Sequence, residues 1–333
     1  MADQFNVQVK FFNEIKNKLE PNLNLVDVIA DELEISNDSA YRRIRGEKSL
    51  SLEELKKLCN RFGISLDAII TSTSDTVLFS YRSISPENFD FDAWLNSVID
   101  NMKALSLYDL KEIIYGAKDL PFFYYFTQPR LTAFKLFFWM RNIYGFPGLQ
   151  DAQFDIGLIP DETVNLAKKI WQNYLQIPSI EIWSEETISV TLRQIDYYYN
   201  SGRFKSDTDA REILAEYKSV LKHIEKQAEA GKKFDFNARD AGDSRSFQLY
   251  MNEVIILDNT VYFRMDDFNM VHMAKNVMNI LSTSDPGYCK DTYSILKNMM
   301  KNGLLISSTS EKERNRFFNM MYGRIDAMAE KIK

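Results

Sequence analysis

Helix boundaries crowd the stretch between Phe11 and Ile70 more tightly than any other part of the chain. Phe11, Phe12, Ile15 and Leu19 recur at the spacing of one helical face until Pro21, which lacks a backbone donor and clashes with the preceding turn. Asn24 then offers a side-chain oxygen to an orphan amide, and Asp27 stands in the first turn, where the helix dipole favours negative charge. Ser36 repeats the start signal and Gly46 ends the helix it opens. Ser51-Leu52-Glu53-Glu54 is a capping box, in which the serine hydroxyl and the Glu54 carboxylate each satisfy an amide of the other. Leu52, Leu55, Leu58, Cys59 and Phe62 form the apolar stripe of that helix; Gly63 closes it, and Ser65 opens a last turn through Leu66, Ile69 and Ile70. Five such short helices cannot each bury a face alone, so they have to pack on one another. The second and third are separated by a turn of three or four residues, which is helix-turn-helix spacing.

The segment 28–70, VIADELEISNDSAYRRIRGEKSLSLEELKKLCNRFGISLDAII, resembles the lambda-repressor/Cro class of bacterial regulators, also called the xenobiotic-response-element type. Ala30, Leu33, Ile35 and Ser36, the Arg45-Gly46 end and the SLEELKKLCNRFGISLDAII tail carry the resemblance, and YRRIRGEKSLSLEEL is similar to the BetR-like subgroup. It covers residues 5–70 only. It implies a recognition helix over 36–45 lying in the DNA major groove, with Ser36, Asn37, Asp38, Tyr41, Arg42, Arg43, Arg45 and Lys48 as the DNA-binding set. Two departures stand out. Glu34 replaces the usual turn glycine, and in an ungapped alignment Arg43 falls on an apolar position and Ile44 on an acidic one. A one-residue length change would return Ile44 to the core. Either register leaves Asn37, Asp38 and Arg42 on the face that would enter the groove, and Arg43 joins them only with the length change.

The residue types suit the task. Asparagine can bridge adenine N6 and N7, arginine can grip guanine O6 and N7, and aspartate can accept from cytosine N4. Arg45, Lys48, Lys56, Lys57 and Arg61 are suited to phosphates. Between 42 and 48 four basic residues face the single acid Glu47. On an isolated helix such a run reads as a solvated face; inside a capped bundle it is the electrostatic footprint of a DNA reader. The chain-wide charge of −6 does not oppose this, because affinity for DNA depends on local phosphate contacts.

Other chemistries find little material. Cys59 and Cys289 form no CxxC pair, His223 and His272 have no partner at metal-ligand spacing, and neither GxGxxG nor GxxxxGK[ST] occurs, so no cofactor, metal or catalytic set is expected. Asp266 and Asp267 are read as a helix cap. The N-terminus carries no secretory pattern, and the apolar stretch 120–144 is interrupted by Gln128, Pro129, Arg130 and Lys135. A cytoplasmic protein without membrane contact is expected.

The polar stretch 71–75 reads as a hinge, dividing a DNA-binding domain over 1–72 from an α-rich sensor or oligomerisation domain over 73–333. Within the latter, 76–84 reads as a strand and 85–232 as helical, with helices over 107–115, 129–144, 161–176, 184–200 and 207–230. An α+β section over 245–333 holds strands at 247–257 and 260–265 joined by an Asp258-Asn259 hairpin turn, helices over 269–281 and 290–301, a strand at 304–307 and a last helix over 312–331. The expected fold class is therefore mainly α: a five-helix helix-turn-helix domain, then a larger, mostly helical domain with a small antiparallel sheet. The expected function is a sequence-specific transcriptional regulator acting as a homodimer on double-stranded DNA, with a small-molecule or peptide effector for the larger domain. The alternative is a protein-interaction scaffold using the aromatic residues around 122–139, although aromatics at helical spacing more often form core.

Overall fold

Residues 7–332, apart from 20–22, 65, 67–68, 70–75, 82, 85–86, 88, 237, 239–245, 254–255, 257 and 277, are described by a computed structural model of the chain. The chain divides into two units, Met1–Leu78 and Phe79–Lys333. The hinge expected at 71–75 lies outside the described residues.

The first unit contains α1 (Val7–Lys18), α2 (Leu25–Leu33), α3 (Asn37–Ile44) and α4 (Leu52–Phe62). Its start signals act as read. Asn24 Oδ1 accepts from the Val26 amide at 2.9 Å, Ser36 Oγ from Ser39, and Ser51 and Glu54 close the capping box in both directions. Of the fifth helix only Leu66 and Ile69 are described, and both are helical. Phe11, Phe12, Ile15, Ile29, Ala30, Ala40, Leu58 and Ile69 meet in one core. The Lys18 ammonium donates to the Phe62 and Gly63 carbonyls at 3.1 and 2.8 Å, placing positive charge where the α4 dipole is negative.

The second unit is built on an eight-stranded sheet. Its strands are β1 (Ser80–Tyr81), β2 (Lys111–Ala117), β3 (Ser179–Trp183), β4 (Phe247–Met251), β5 (Thr260–Met265), β6 (Phe268–Ala274), β7 (Ile280–Thr283) and β8 (Leu304–Leu305), in the order β1-β7-β6-β5-β2-β3-β4-β8. β2, β3 and β4 run parallel, and every other pairing is antiparallel. The helices are α5 (Phe91–Ser106), α6 (Pro129–Phe138), α7 (Asp161–Tyr174), α8 (Ser189–Asn200), α9 (Asp207–Ala230), α10 (Pro286–Asn302) and α11 (Glu311–Lys331).

This sheet corrects the expectation of a mostly helical domain with a small antiparallel sheet: it is larger, and its centre is parallel. The cause is burial on both faces. Ile113, Tyr115 and Ala117 of β2 enter the main core with residues of α5 to α9 and α11, while Ile114 packs with Ile182, Tyr262 and Val271 against Cys289 and Leu296 of α10. Gly116 faces α10 closely enough that a Cβ would lie 3.3 Å from Leu296. A strand covered on both sides can lack polar alternation, as Ile113-Ile114-Tyr115 does, and 107–115 therefore reads as helix. β3, Ser179-Ile180-Glu181-Ile182-Trp183, does alternate, but its polar residues Ser179 and Glu181 face the core and not solvent. The expected helix at 269–281 is instead β6 and β7. The expected Asp258-Asn259 hairpin does not form, because β2 and β3 lie between β4 and β5. The hairpin turn is Asp266-Asp267, joining β5 to β6 with Asp266 at φ 44°, and that pair caps no helix.

The aromatic run is interior. Phe123, Tyr124, Tyr125, Phe126, Phe134, Phe137 and Trp139 are buried, with Phe122 and Phe138 packed at the margin. Among them Glu181 is fully buried and accepts from the Tyr124 and Trp183 side chains at 2.8 Å each and from the Tyr174 hydroxyl. The Lys233 ammonium stands 3.5 Å from the centre of the Tyr174 ring. Among the described residues no helix is long and apolar enough to cross a membrane.

Candidate nucleic-acid interface

The turn between α2 and α3 is made by a residue that rarely makes one. Glu34 takes the left-handed conformation, φ 55° and ψ 46°, and the Ile35 amide reaches back to the Ala30 carbonyl at 3.0 Å, a closure of the Schellman type. Ile35 thereby turns into the core and Ser36 caps the next helix at once. Asn37 Nδ2 donates to Asp27 Oδ1 at 2.9 Å, tying the start of α3 to the first turn of α2.

The eight residues of α3 then sort by face. Ala40 and Arg43 are buried and Ile44 packs on the core from its edge, so α3 needs no length change to bring Ile44 inward. Arg43 is the correction within the expected DNA-binding set. Its side chain is only 6% exposed; Nε and NH2 grip Glu54 at 3.2 and 2.7 Å, and NH1 donates to the Ser39 carbonyl. A guanidinium so enclosed is scaffold and does not reach a duplex. Burial alone would raise the Glu54 carboxyl, but the Arg43 hydrogen bond, the Ser51 amide and nearby positive charge hold it below the ordinary glutamate value.

The other seven residues stay on or beside the outer face. Ser36, Asn37 and Asp38 are exposed at the N-terminus of α3, Tyr41 is 48% exposed, and Arg42, Arg45 and Lys48 are exposed beyond it. Arg45 stands 5.6 Å from the Tyr41 ring centre. Glu47 lies between the two outer arginines, 4.0 Å from Arg42 and 3.4 Å from Arg45, and offsets part of their charge. On α4, Lys57 pairs with Glu34, the residue that ends α2, at 3.3 Å, and Arg61 with Glu32 within α2 at 3.4 Å.

Sequence reasoning missed Gln8, whose amide group bonds the segment between α3 and α4 from α1. Nothing local marks such a long-range contact. It also missed Glu54 as the partner of Arg43; the available signal was an arginine at a core position of the helical wheel opposite a capping-box acid.

No protein-family description, curated protein or solved structure matches this chain. The chemistry on offer is that of the groups themselves: short polar side chains at a helix N-terminus for base edges, and cations at the far end and in the following loop for phosphate oxygens.

Proposed function

We propose that this chain is a cytoplasmic, sequence-specific, DNA-binding transcriptional regulator, with α3 lying in the major groove. The observation that carries the reading is the outer face of α3, with Asn37, Asp38, Tyr41 and Arg42 exposed on a helix locked by the Glu34 turn and the Arg43–Glu54 pair. Asn37 and Arg42 are the base-reading candidates, and Arg45 and Lys48 the phosphate-binding ones. The second unit serves dimerisation or senses an effector, by binding and not by catalysis. One such module buries too little surface to bind tightly alone, so two copies on paired half-sites are part of the proposal.

Fluorescence anisotropy of the full chain on the duplex upstream of its own gene and on a randomised duplex pool, titrated with salt, tests it. Wild type should bind with a steep negative salt slope; Arg45→Ala/Lys48→Ala should reduce that slope by about two, one for each lost phosphate contact, and Arg42→Ala should instead weaken the preference for the upstream duplex over the random pool. No binding to either duplex at low salt, or binding indifferent to salt, would refute the reading. Light scattering tests the dimer: a monomer with and without bound duplex rules it out.

A further inference from the structure

Gln8 lies half-buried on α1 and reaches a distant part of the first unit. Its Nε2 donates to the Arg43 carbonyl at 2.7 Å and to the Lys48 carbonyl at 2.8 Å, and its Oε1 accepts from the Leu50 amide at 2.9 Å. These groups bracket the loop between α3 and α4: Arg43 is in the last turn of α3, and Leu50 directly precedes the Ser51 cap of α4. The first half of the loop is closed against α3 by amides of its own, Gly46 to the Arg43 carbonyl at 2.9 Å, and Glu47 and Lys48 to the Arg42 carbonyl at 2.8 and 3.2 Å. Gln8 closes the second half.

The loop it shapes carries Arg45 and Lys48. A neutral amide contributes no attraction for phosphate, but a cation contributes only when its head stands where a phosphate oxygen will be, and the cost of ordering a free loop is otherwise taken from binding. We propose that Gln8 is a positioning residue for the DNA backbone, holding the α3–α4 loop so that Arg45 and Lys48 meet phosphates without rearrangement of the loop's main chain. This inference rests on the DNA-reading proposal above.

The test is Gln8→Met in the full chain, which keeps side-chain length and removes the hydrogen bonds to Arg43, Lys48 and Leu50. In the free protein, amide exchange at Leu50 should quicken several-fold. On DNA, the salt slope should fall by about one to two, with equal loss of affinity on upstream and randomised duplexes, because phosphate contacts carry no sequence information. In an Arg45→Ala/Lys48→Ala background, Gln8→Met should cost nothing further, since the groups it positions are gone. A merely structural role would instead lower affinity equally in both backgrounds, and that result overturns the inference. So does an unchanged slope in Gln8→Met when wild type binds. If wild type binds no duplex, the DNA reading falls and this inference with it. Should Gln8→Met lose helical content, Gln8→Ala, a stronger helix former, carries the same comparison.

Discussion

Replacing Glu34 with glycine should make the first unit more stable, and the size of the gain can be worked out. A residue with a Cβ held at φ 55° and ψ 46° gives up roughly 1–2 kcal/mol to the clash with its own carbonyl. Glycine removes that clash but brings about 0.5–1 kcal/mol of extra unfolded-state freedom. The Glu34–Lys57 pair would also be lost; with its carboxylate 84% exposed it contributes about 0.5 kcal/mol at most. The balance is a gain near 0.5 kcal/mol, or about a twofold shift in the opening equilibrium. All four tryptophans lie beyond residue 79, so fluorescence does not report on this unit. Amide exchange of α2 and α3 in the full chain does, and should slow about twofold in Glu34→Gly. Glu34→Ala is the control: it keeps the Cβ, loses the ion pair and should exchange no more slowly than wild type. Equal protection in the alanine and glycine variants would show that the left-handed turn stores no strain.

Arg43→Met should destabilise the first unit by about 1–3 kcal/mol in chemical denaturation followed by far-ultraviolet dichroism, through the loss of its charge-assisted hydrogen bonds, and adding Glu54→Gln should recover only a small part of that, because the carboxylate left behind is 22% exposed and reaches water. Glu54 also sets an acid limit. With its folded value depressed, its contribution is complete above the ordinary glutamate value of about 4.3 and disappears as pH falls through the lower one, so wild type and Glu54→Gln should converge in stability there. In the second unit Glu181→Ala should cost about 2–4 kcal/mol, read by tryptophan fluorescence, since it takes the acceptor from the buried Tyr124 hydroxyl and the Trp183 indole N–H, while the Tyr174 hydroxyl keeps Ser179. His272 is pushed down to about 4 by burial, so the unfolded chain takes up its proton first as pH drops below about 6.5; the stability it allows is full above that value and is lost towards pH 4. His272→Phe should therefore be less sensitive than wild type between pH 7 and 5, and equal sensitivity would refute the assignment. Glu47→Gln should strengthen DNA binding several-fold at low salt by freeing Arg42 and Arg45, and no change would show that neither arginine contacts the duplex.

Local grammar was readable and long-range geometry was not. Asn24, Ser36 and Ser51 announce α2, α3 and α4 because a cap is made within three residues, and the 207–230 helix is read to its ends because Ser206 and Gly231 bracket it. β2 is hidden because a strand with two apolar faces has no alternation to detect; β3 does alternate, but it is only five residues long and its polar residues Ser179 and Glu181 are buried. β6 reads as a helix from sequence because its partner, β5, is what makes NMVHMA a strand, and Asp266-Asp267 is a weaker turn signal than Asp258-Asn259. At the candidate interface the exposed residues of α3 were legible from the cap and the period. The inward turn of Arg43 was not, since an arginine enters a core only where an acid from another helix waits for it.

The order of strands in the second unit also governs how the chain meets the cell as it is made. β2 pairs on one side with β3, but on the other only with β5, and Thr260 leaves the ribosome long after Ala117. Through that interval the Ile113-Ile114-Tyr115 edge has exposed amides and carbonyls and no neighbour to take them, the kind of edge that recruits other chains. The helices of the first unit, whose contacts are local, can form meanwhile. A stop codon falling between 117 and 260 should thus yield a folded first unit tethered to an aggregating remnant, so that partial products of this gene are hazards to a cell and not smaller versions of the protein.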